Sequence, residues 1–306
     1  MTSEGDSKVG GSFRSGFVAV VGRPNVGKST LVNRMLGTKV TIVSSRPNTT
    51  RRTVRGVLHR EGCQAVFVDT PGLHRPRTAL GERLNDHVAD ALADLDVVVA
   101  VVDASGEIGA GDRIVLQRAM DAVHAKGSDS DSPPTRLFVV INKIDKVSSN
   151  QLLIHLNQVD AAVSGLAEIF PVSAATGQGV QALVESILDR LPVGPPYFPD
   201  DMVTDVPEAF WVAELVREEL LRRVHEELPH AIACRVTEWE WPRVRVEILV
   251  ERESQKGIVI GKGGLILKAV GTAVRRQLPE GAFIELHVRV EKDWQSRPDA
   301  IERLGY

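Results

Sequence analysis

Cysteine is nearly absent: Cys63 and Cys234 are the only two in 306 residues. At most one disulfide can form, so the chain is no disulfide scaffold, and a reducing compartment suits it. Long apolar runs are missing too. The longest, residues 97–102, has the length of a strand and falls far short of a bilayer span. Residues 1–16 are polar, rich in serine and glycine, and lack the apolar centre of a signal peptide; they read as a disordered leader. Net charge is only −3, so the chain as a whole does not advertise a nucleic-acid partner. No internal repeat is visible. These absences lead us to expect a cytoplasmic protein, acting as a monomer.

One absence is local. Residues 7–60 hold eleven lysines or arginines and no acid, and residues 254–279 hold five (Lys256, Lys262, Lys268, Arg275, Arg276) and again no acid. Two acid-free windows in a mildly acidic chain point to two places that meet anions, with solvated faces as the plain alternative.

Hydrophobic residues make up 43% and charged residues 25%, as in soluble globular proteins, and the length suffices for two cores. In residues 17–191 short β-branched runs alternate with helical stretches. Strands are expected at 17–21, 65–68, 97–102, 137–141 and 169–172, and helices at 28–36, 80–92, 113–125, 151–163 and 180–191. This alternation predicts an α/β domain with a mostly parallel sheet covered on both faces. Residues 126–134, with Ser, Asp and Pro at their heart, read as a surface loop. The prolines of Leu191-Pro192-Val193-Gly194-Pro195-Pro196 cannot continue a helix and mark a linker. The expected organisation is a leader (1–16), a nucleotide domain (17–192), a linker (193–200) and a smaller α+β domain (201–306). In the last, an amphipathic helix at 207–228 precedes strands at 232–240 and 243–251, joined by a tight Trp-Pro turn. A glycine loop at 261–264 then stands between an extended stretch and a helix, and a strand follows at 283–291.

Gly22-Arg23-Pro24-Asn25-Val26-Gly27-Lys28-Ser29 is a GxxxxGKS P-loop in its required context, after an apolar strand and opening a helix. Its glycines let backbone N–H groups approach phosphate oxygens, and the helix beginning at Lys28 points its partial positive end at them. Lys28 can reach the β- and γ-phosphates, Ser29 can ligate Mg²⁺, and Thr30 follows in the same cradle. Asp69-Thr70-Pro71-Gly72 ends the next apolar run. There Asp69 can hold Mg²⁺ directly or through water, and the Gly72 N–H can meet a γ-phosphate oxygen. Between them, Asn48-Thr49-Thr50-Arg51-Arg52 reads as a switch loop whose threonine hydroxyl, Thr50 in preference to Thr49, reaches Mg²⁺ only while the γ-phosphate is present. Catalytic candidates are therefore Lys28, Thr50 and Gly72; metal candidates are Ser29, Thr50 and Asp69.

Asn142-Lys143-Ile144-Asp145 chooses the base. A carboxylate at Asp145 accepts from the guanine N1–H and 2-amino group, whereas adenine offers neither and leaves the acid unpaired. Ser173-Ala174-Ala175 ends the following strand and can support the base through backbone N–H. An ATP-using P-loop enzyme is the rival that Asp145 opposes.

The ordered set GRPNVGKS, NTTRR, DTPGL, NKID and SAATG, with GRPNVGKST, TTR and DTPGLH in particular, resembles the Era family of GTPases. The closing Leu304-Gly305-Tyr306 and a GKGG domain extend the match over residues 17–306. The resemblance implies GTP and GDP with Mg²⁺ as ligands, a type II KH module, and binding to the 3′ end of 16S rRNA during assembly of the small ribosomal subunit. It also implies peripheral association with the inner face of the cell membrane, which these residues do not display. Leu73 follows the switch glycine where many GTPases carry a water-orienting glutamine. We therefore expect slow intrinsic hydrolysis, on the order of 10⁻⁴ to 10⁻² s⁻¹. Single-turnover kinetics without a partner check this; tens per second would refute it.

In the second domain, Ile260-Gly261-Lys262-Gly263-Gly264 is a GxxG loop inside the second acid-free window. KH modules clamp an RNA backbone with such a loop. Lys256, Lys262 and Lys268 add charge, and Ile258, Val259 and Ile266 can line a groove for bases. The domain as a whole has more acids than bases, so its RNA face must be local. Trp239 and Trp241 are expected to pack or shape the turn in preference to stacking on bases. The alternative to RNA is a regulatory GTPase whose second domain binds a protein or membrane partner.

Overall fold

The computed structural model describes residues 12–73, 78–93, 95–127, 136–225 and 227–306. Strands β1 (Arg14–Gly22), β2 (Val54–Arg60), β3 (Cys63–Asp69), β4 (Val97–Asp103), β5 (Arg136–Asn142) and β6 (Glu168–Pro171) form one sheet in the order β2-β3-β1-β4-β5-β6. All pairings are parallel except β2 with β3. The alternation of side chains divides the core. Val18 and Val20 face α1 (Lys28–Leu36) and α5 (Val180–Asp189). Ala19 and Val21 face α2 (Ala79–Ala93), α3 (Ala110–Gly127) and α4 (Ser149–Val163). Both faces are thus dry, which is why these strands read as unbroken apolar runs.

Strand β2 departs from expectation. Its sequence VRGVLHR is interrupted by a glycine and two cations, so its place comes from the full ladder with β3 and not from apolar patterning. Strand β1 starts at Arg14, so residues 14–16 belong to the sheet and not to the leader; residues 1–11 lie outside the described residues. Residues 126 and 127 end α3, and the rest of the expected loop lies outside the described residues.

The segment after α5 is held to the sheet throughout. Ser15 donates from its N–H to Pro192 O (3.0 Å) and from Oγ to Pro195 O (2.6 Å). Buried Gln64 accepts from the N–H groups of Tyr197 (2.7 Å) and Phe198 (3.0 Å) and donates to Phe198 O (2.8 Å).

The second domain contains α6 (Glu208–Leu221), α7 (Leu228–Ala231), β7 (Ala233–Glu240), β8 (Arg243–Val250), α8 (Glu253–Ile260), α9 (Leu265–Arg275), β9 (Phe283–Val290) and α10 (Pro298–Arg303). Its sheet runs β7-β8-β9, antiparallel then parallel. Parallel neighbours need a crossover, and α8, the GKGG turn and α9 supply it. The stretch before that turn is therefore helical, not extended. The β-branched Ile258-Val259-Ile260 suggests a strand, but Gln255 Oε1 accepts from Glu251 and Arg252 N–H (2.9 and 3.0 Å) and closes a helix start. Only as one unbroken helix would residues Glu253–Arg275 be long and apolar enough to span a bilayer, and the turn divides them.

The expected helix at 207–228 ends at Leu221, and α7 follows with Pro229 near its start. Nor is α6 amphipathic. Every residue from Val212 to Leu221 is buried, including Glu214, Arg217, Glu218 and Glu219. One side packs on the second sheet, and the other is covered by the first domain.

Candidate functional site

The P-loop turn closes on Gly27, whose φ of +100° and position against Asn142 exclude a side chain: a Cβ there would lie 2.3 Å from Asn142 Nδ2. That amide donates to Val26 O (2.8 Å), so the base-side loop braces the phosphate-side loop. Lys28 is buried, with Nζ donating to Gly22 O (3.1 Å) and Arg23 O (3.0 Å). Burial pushes its pKa down to about 8, against the pull of the Asp69 carboxylate. An ammonium kept this dry is poised to interact strongly with a phosphate. The Arg23 side chain turns away, pairing with Asp112 (2.7 Å) at the start of α3.

Asp69, fully buried, gathers hydroxyls. Its Oδ2 accepts from Ser29 Oγ (2.8 Å), Thr41 Oγ1 (2.9 Å) and Thr50 Oγ1 (3.3 Å), and Ser29 Oγ lies 2.9 Å from Thr50 Oγ1. Thr49 Oγ1 instead donates to Arg46 O (2.7 Å), so of the two threonines it is Thr50 that reaches the site. Asp69 Oδ1 is buried without a partner. Burial raises the Asp69 pKa, opposed by Lys28 and the three hydroxyls. A buried carboxylate with an unpartnered oxygen among hydroxyls is a hard-oxygen set that fits Mg²⁺. Thr41 is a member that sequence reasoning missed; Asn33 fixes it, accepting from the Thr41 N–H (3.1 Å) and donating to Thr41 O (2.8 Å). Nothing in a lone threonine between the P-loop and the switch loop would have singled it out.

Thr70 Oγ1 donates to Val20 O (2.8 Å), and Leu73, buried after Pro71 and Gly72, donates its N–H to Gly22 O (3.2 Å). Residue 74 of the DTPGLH motif and residues 75–77 after it lie outside the described residues.

At the base end, Asp145 is exposed and accepts from Ser173 Oγ (2.6 Å) through Oδ1. The Ala174 N–H, expected to face a base, donates to Asn142 Oδ1 (3.0 Å) and ties the two loops together. Arg34 of α1 holds that loop from behind, donating to Ala174 O (3.1 Å) and Ala175 O (2.5 Å). Lys143 pairs with Asp103 at the end of β4 and donates to Asn25 O (2.7 Å). Asp103 was legible in principle, as an acid ending a fully apolar strand. A cavity of about 350 Å³, lined by Pro24, Asn25, Gly27–Thr30, Ile42–Arg46, Asn48–Thr50, Gly72 and Lys143, lies between the P-loop and the switch loop and meets the base end at Lys143.

The switch loop does more than edge this cavity. Cations of that loop and of the segment leading into it reach into the second domain. Lys39 Nζ donates to Glu218 (2.5 Å), whose other oxygen accepts the Val43 N–H (2.9 Å). Arg46 donates to Val224 O (3.2 Å). Arg51, buried, donates to Ile232 O (2.6 Å) and His230 O (3.0 Å), with its guanidinium 5.4 Å from the Trp294 ring and 5.6 Å from that of Tyr306. In return Arg217, held by Glu214, donates to Thr49 O. Cations of the first acid-free window thus do not all face a phosphate: Lys39 meets Glu218 of α6, and Arg46 and Arg51 bond backbone carbonyls of the second domain.

In the second domain Gly261, Gly263 and Gly264 all have positive φ, the conformation that lets the turn expose its backbone. Lys262 and Lys268 are exposed and Lys256 is half-buried; none of these, nor Arg275 or Arg276, forms an ion pair among the described residues. Ile260 packs half-buried before the turn, while Ile258 and Leu265 beside it are 55% and 64% exposed.

A phosphate cradle and a guanine-selecting pocket on a sheet of this order define a GTPase domain, and a GKGG crossover between parallel strands defines a type II KH domain. Known proteins agree. Residues 17–143 match the family of 50S ribosome-binding GTPases, and residues 227–295 match the KH domain family. The GTPase Era of Mycolicibacterium paratuberculosis is 46% identical, covering 96% of this chain and 99% of its own length, and that of Mycobacterium leprae is likewise 46% identical. A crystal structure of Era with MgGDPNP and nucleotides 1506–1542 of 16S ribosomal RNA superposes with a TM-score of 0.88 at 36% identity, covering 96% of this chain and 99% of that one. A single-residue variant of Aquifex aeolicus Era bound to GDP·AlF4⁻ gives 0.87 at the same identity and coverage. The chain belongs to the Era family of GTPases.

Proposed function

We propose that this GTPase acts in the cytoplasm as a monomer in small-subunit assembly, holding the 3′ end of 16S rRNA in its KH groove in the GTP form and releasing it after hydrolysis. The carrying observation is the contrast in the second domain. Most of its arginines are paired with acids, whereas the five cations of residues 254–279 are left for an outside anion around an exposed GKGG backbone. The related Era was crystallised with such an RNA. Ile258 and Leu265 are assigned to unstacked bases, not to a lipid surface.

In the nucleotide site, Lys28 and the P-loop N–H groups take the β- and γ-phosphates, and Ser29, Thr50 and Asp69 hold Mg²⁺. When bound, that ion screens charge on the transferring phosphoryl group. Gly72 reports the γ-phosphate, while Asn142, Lys143 and Asp145 with the Ser173 loop position guanine. Leu73 offers no polar atom to the attacking water, which fits the slow intrinsic rate expected above.

The test is crosslinking of the GTP-loaded protein to RNA in lysate, beside a Lys262→Asp/Gly263→Asp variant. The expected result is enrichment of the 3′ end of small-subunit rRNA that disappears in the variant. Recovery of no specific RNA from either protein would overturn the RNA reading and leave the GTPase intact.

A further inference from the structure

The β7–β8 hairpin presents an aromatic surface that neither the GTP site nor the GKGG groove uses. Its placement follows from a β-bulge. Val236 pairs with Val246, but Glu238 pairs with Arg245 and Trp239 with Val244, so one extra residue, Thr237, is inserted. Directly opposed residues share a face. The bulge therefore moves Trp239 onto the helix-covered side with Val244 and Val246, beyond the reach of the helices, and sends Glu238 to the other side. Trp241 follows in the turn. The two rings stack at 6.1 Å with planes 29° apart, yet Trp239 is 37% and Trp241 46% exposed. Phe283, 49% exposed, is brought beside the turn by its N–H, which donates to Pro242 O (2.8 Å). Trp241 thus shapes the turn and packs on Trp239, as expected of the pair, yet both rings keep an open face.

The charge around these rings is the reverse of that at the GKGG turn. Glu238 pairs with Arg245, and Glu285 pairs with Arg243 and Arg245. Glu240, which by the same alternation shares the face of Glu238 and lies across the strand from Trp239, and Glu280, in the turn entering β9, have no ion-pair partner among the described residues. An RNA phosphate is repelled here. A guanidinium or ammonium is attracted, both by the free carboxylates and by the negative faces of exposed indoles.

We propose that the hairpin is a docking site for a basic peptide segment of a protein partner that crosses the free edge of β7, with one arginine or lysine laid on Trp239 and Trp241 and another paired with Glu240 on the opposite face. The test uses the full chain loaded with GDP, a labelled arginine-rich peptide, and the same peptide with glutamate in place of arginine. Fluorescence anisotropy should show saturable binding of the first only, weakening as salt rises. Because Trp239→Ala and Trp241→Ala keep every carboxylate, mere attraction of opposite charges survives in them. A loss of about tenfold in each marks aromatic recognition. Trp241→Phe should restore most of the affinity, which separates recognition from damage to the turn. Glu240→Lys should abolish binding without touching the rings. Affinity for the 3′ rRNA fragment should stay within about twofold of the parent in all variants, since the GKGG face is unchanged. Peptide affinity unmoved by the tryptophan variants overturns the proposal. So does a fall in RNA affinity with peptide affinity intact, which would assign the hairpin to bases instead. Neither result bears on the GTPase.

Discussion

Replacing Asp145 with asparagine is expected to weaken GTP binding by on the order of a thousandfold while improving the binding of xanthosine triphosphate. Asp145 is placed by Ser173, whose hydroxyl occupies Oδ1, so the carboxylate is oriented before any base arrives. Guanine presents two donors, N1–H and the 2-amino group, and a carboxylate only accepts. An asparagine replaces one acceptor by a donor, which faces the guanine amino group unfavourably but suits a carbonyl at the same position in xanthine. The phosphate half of the site is built on other elements, with Lys28 bonded to the Gly22 and Arg23 carbonyls and Asp69 to the Ser29 hydroxyl, all far from this loop in the chain. Phosphate and Mg²⁺ contacts should therefore survive. Because Asp145 is exposed and makes no structural ion pair among those described, the thermal midpoint should move little. Competition of each triphosphate against labelled GDP gives the answer, and an unaltered order of preference would remove Asp145 from the base site.

The nucleotide half of this protein was legible in its sequence because each motif there is local. A phosphate needs consecutive backbone N–H groups, so Gly22 to Ser29 must be contiguous, and a strand-end acid sits one residue past its apolar run. Thr41 and Asn33 were not legible, because their role exists only once the loop after α1 folds back onto Asp69. The same holds for β2, which needs β3 beside it to be a strand. The largest failure was α6. Its heptad-like leucines suggest one buried stripe, while Glu214, Glu218 and Glu219 suggest a wet face. That face is instead closed by Lys39 and the Val43 N–H on Glu218, with the helix's own Arg217 pairing with Glu214 and donating to the Thr49 carbonyl. Charge complementarity across more than a hundred residues leaves no periodic trace. The acid-free window around the switch and the acid-rich helix were each visible, but only their meeting gives them a meaning.

That meeting is what Arg51→Ala tests. Arg51 follows Thr50 directly, so the residue that reaches Asp69 and the residue buried in the second domain are neighbours on one loop. Its guanidinium sits over the contacting pair Trp294 and Tyr306, next to the backbone carbonyls of Ile232 and His230. Burial and the nearby Arg217 charge push its pKa down, a sign that the site holds this cation against a real desolvation penalty. Truncation to alanine leaves buried carbonyls short of a donor and a void beside the two rings, and should lower stability by roughly 2–4 kcal/mol, read from denaturant unfolding. Arg51→Lys should recover only part, since an ammonium cannot bond two divergent carbonyls while stacking on both rings. The functional consequence is larger. If the switch biases the second domain through this tether, the ratio of RNA affinities in the GTP and GDP forms should fall toward one in Arg51→Ala, with GTP binding itself little changed. Binding linkage requires the reverse effect to be equal: whatever factor GTP adds to RNA affinity, RNA adds to GTP affinity. Both ratios must therefore collapse together in the variant. A variant that keeps the full ratio despite its lost stability would show that the nucleotide signal reaches the GKGG groove by some other contact, with the loop from Lys39 to Val43 on Glu218 as the next to be cut.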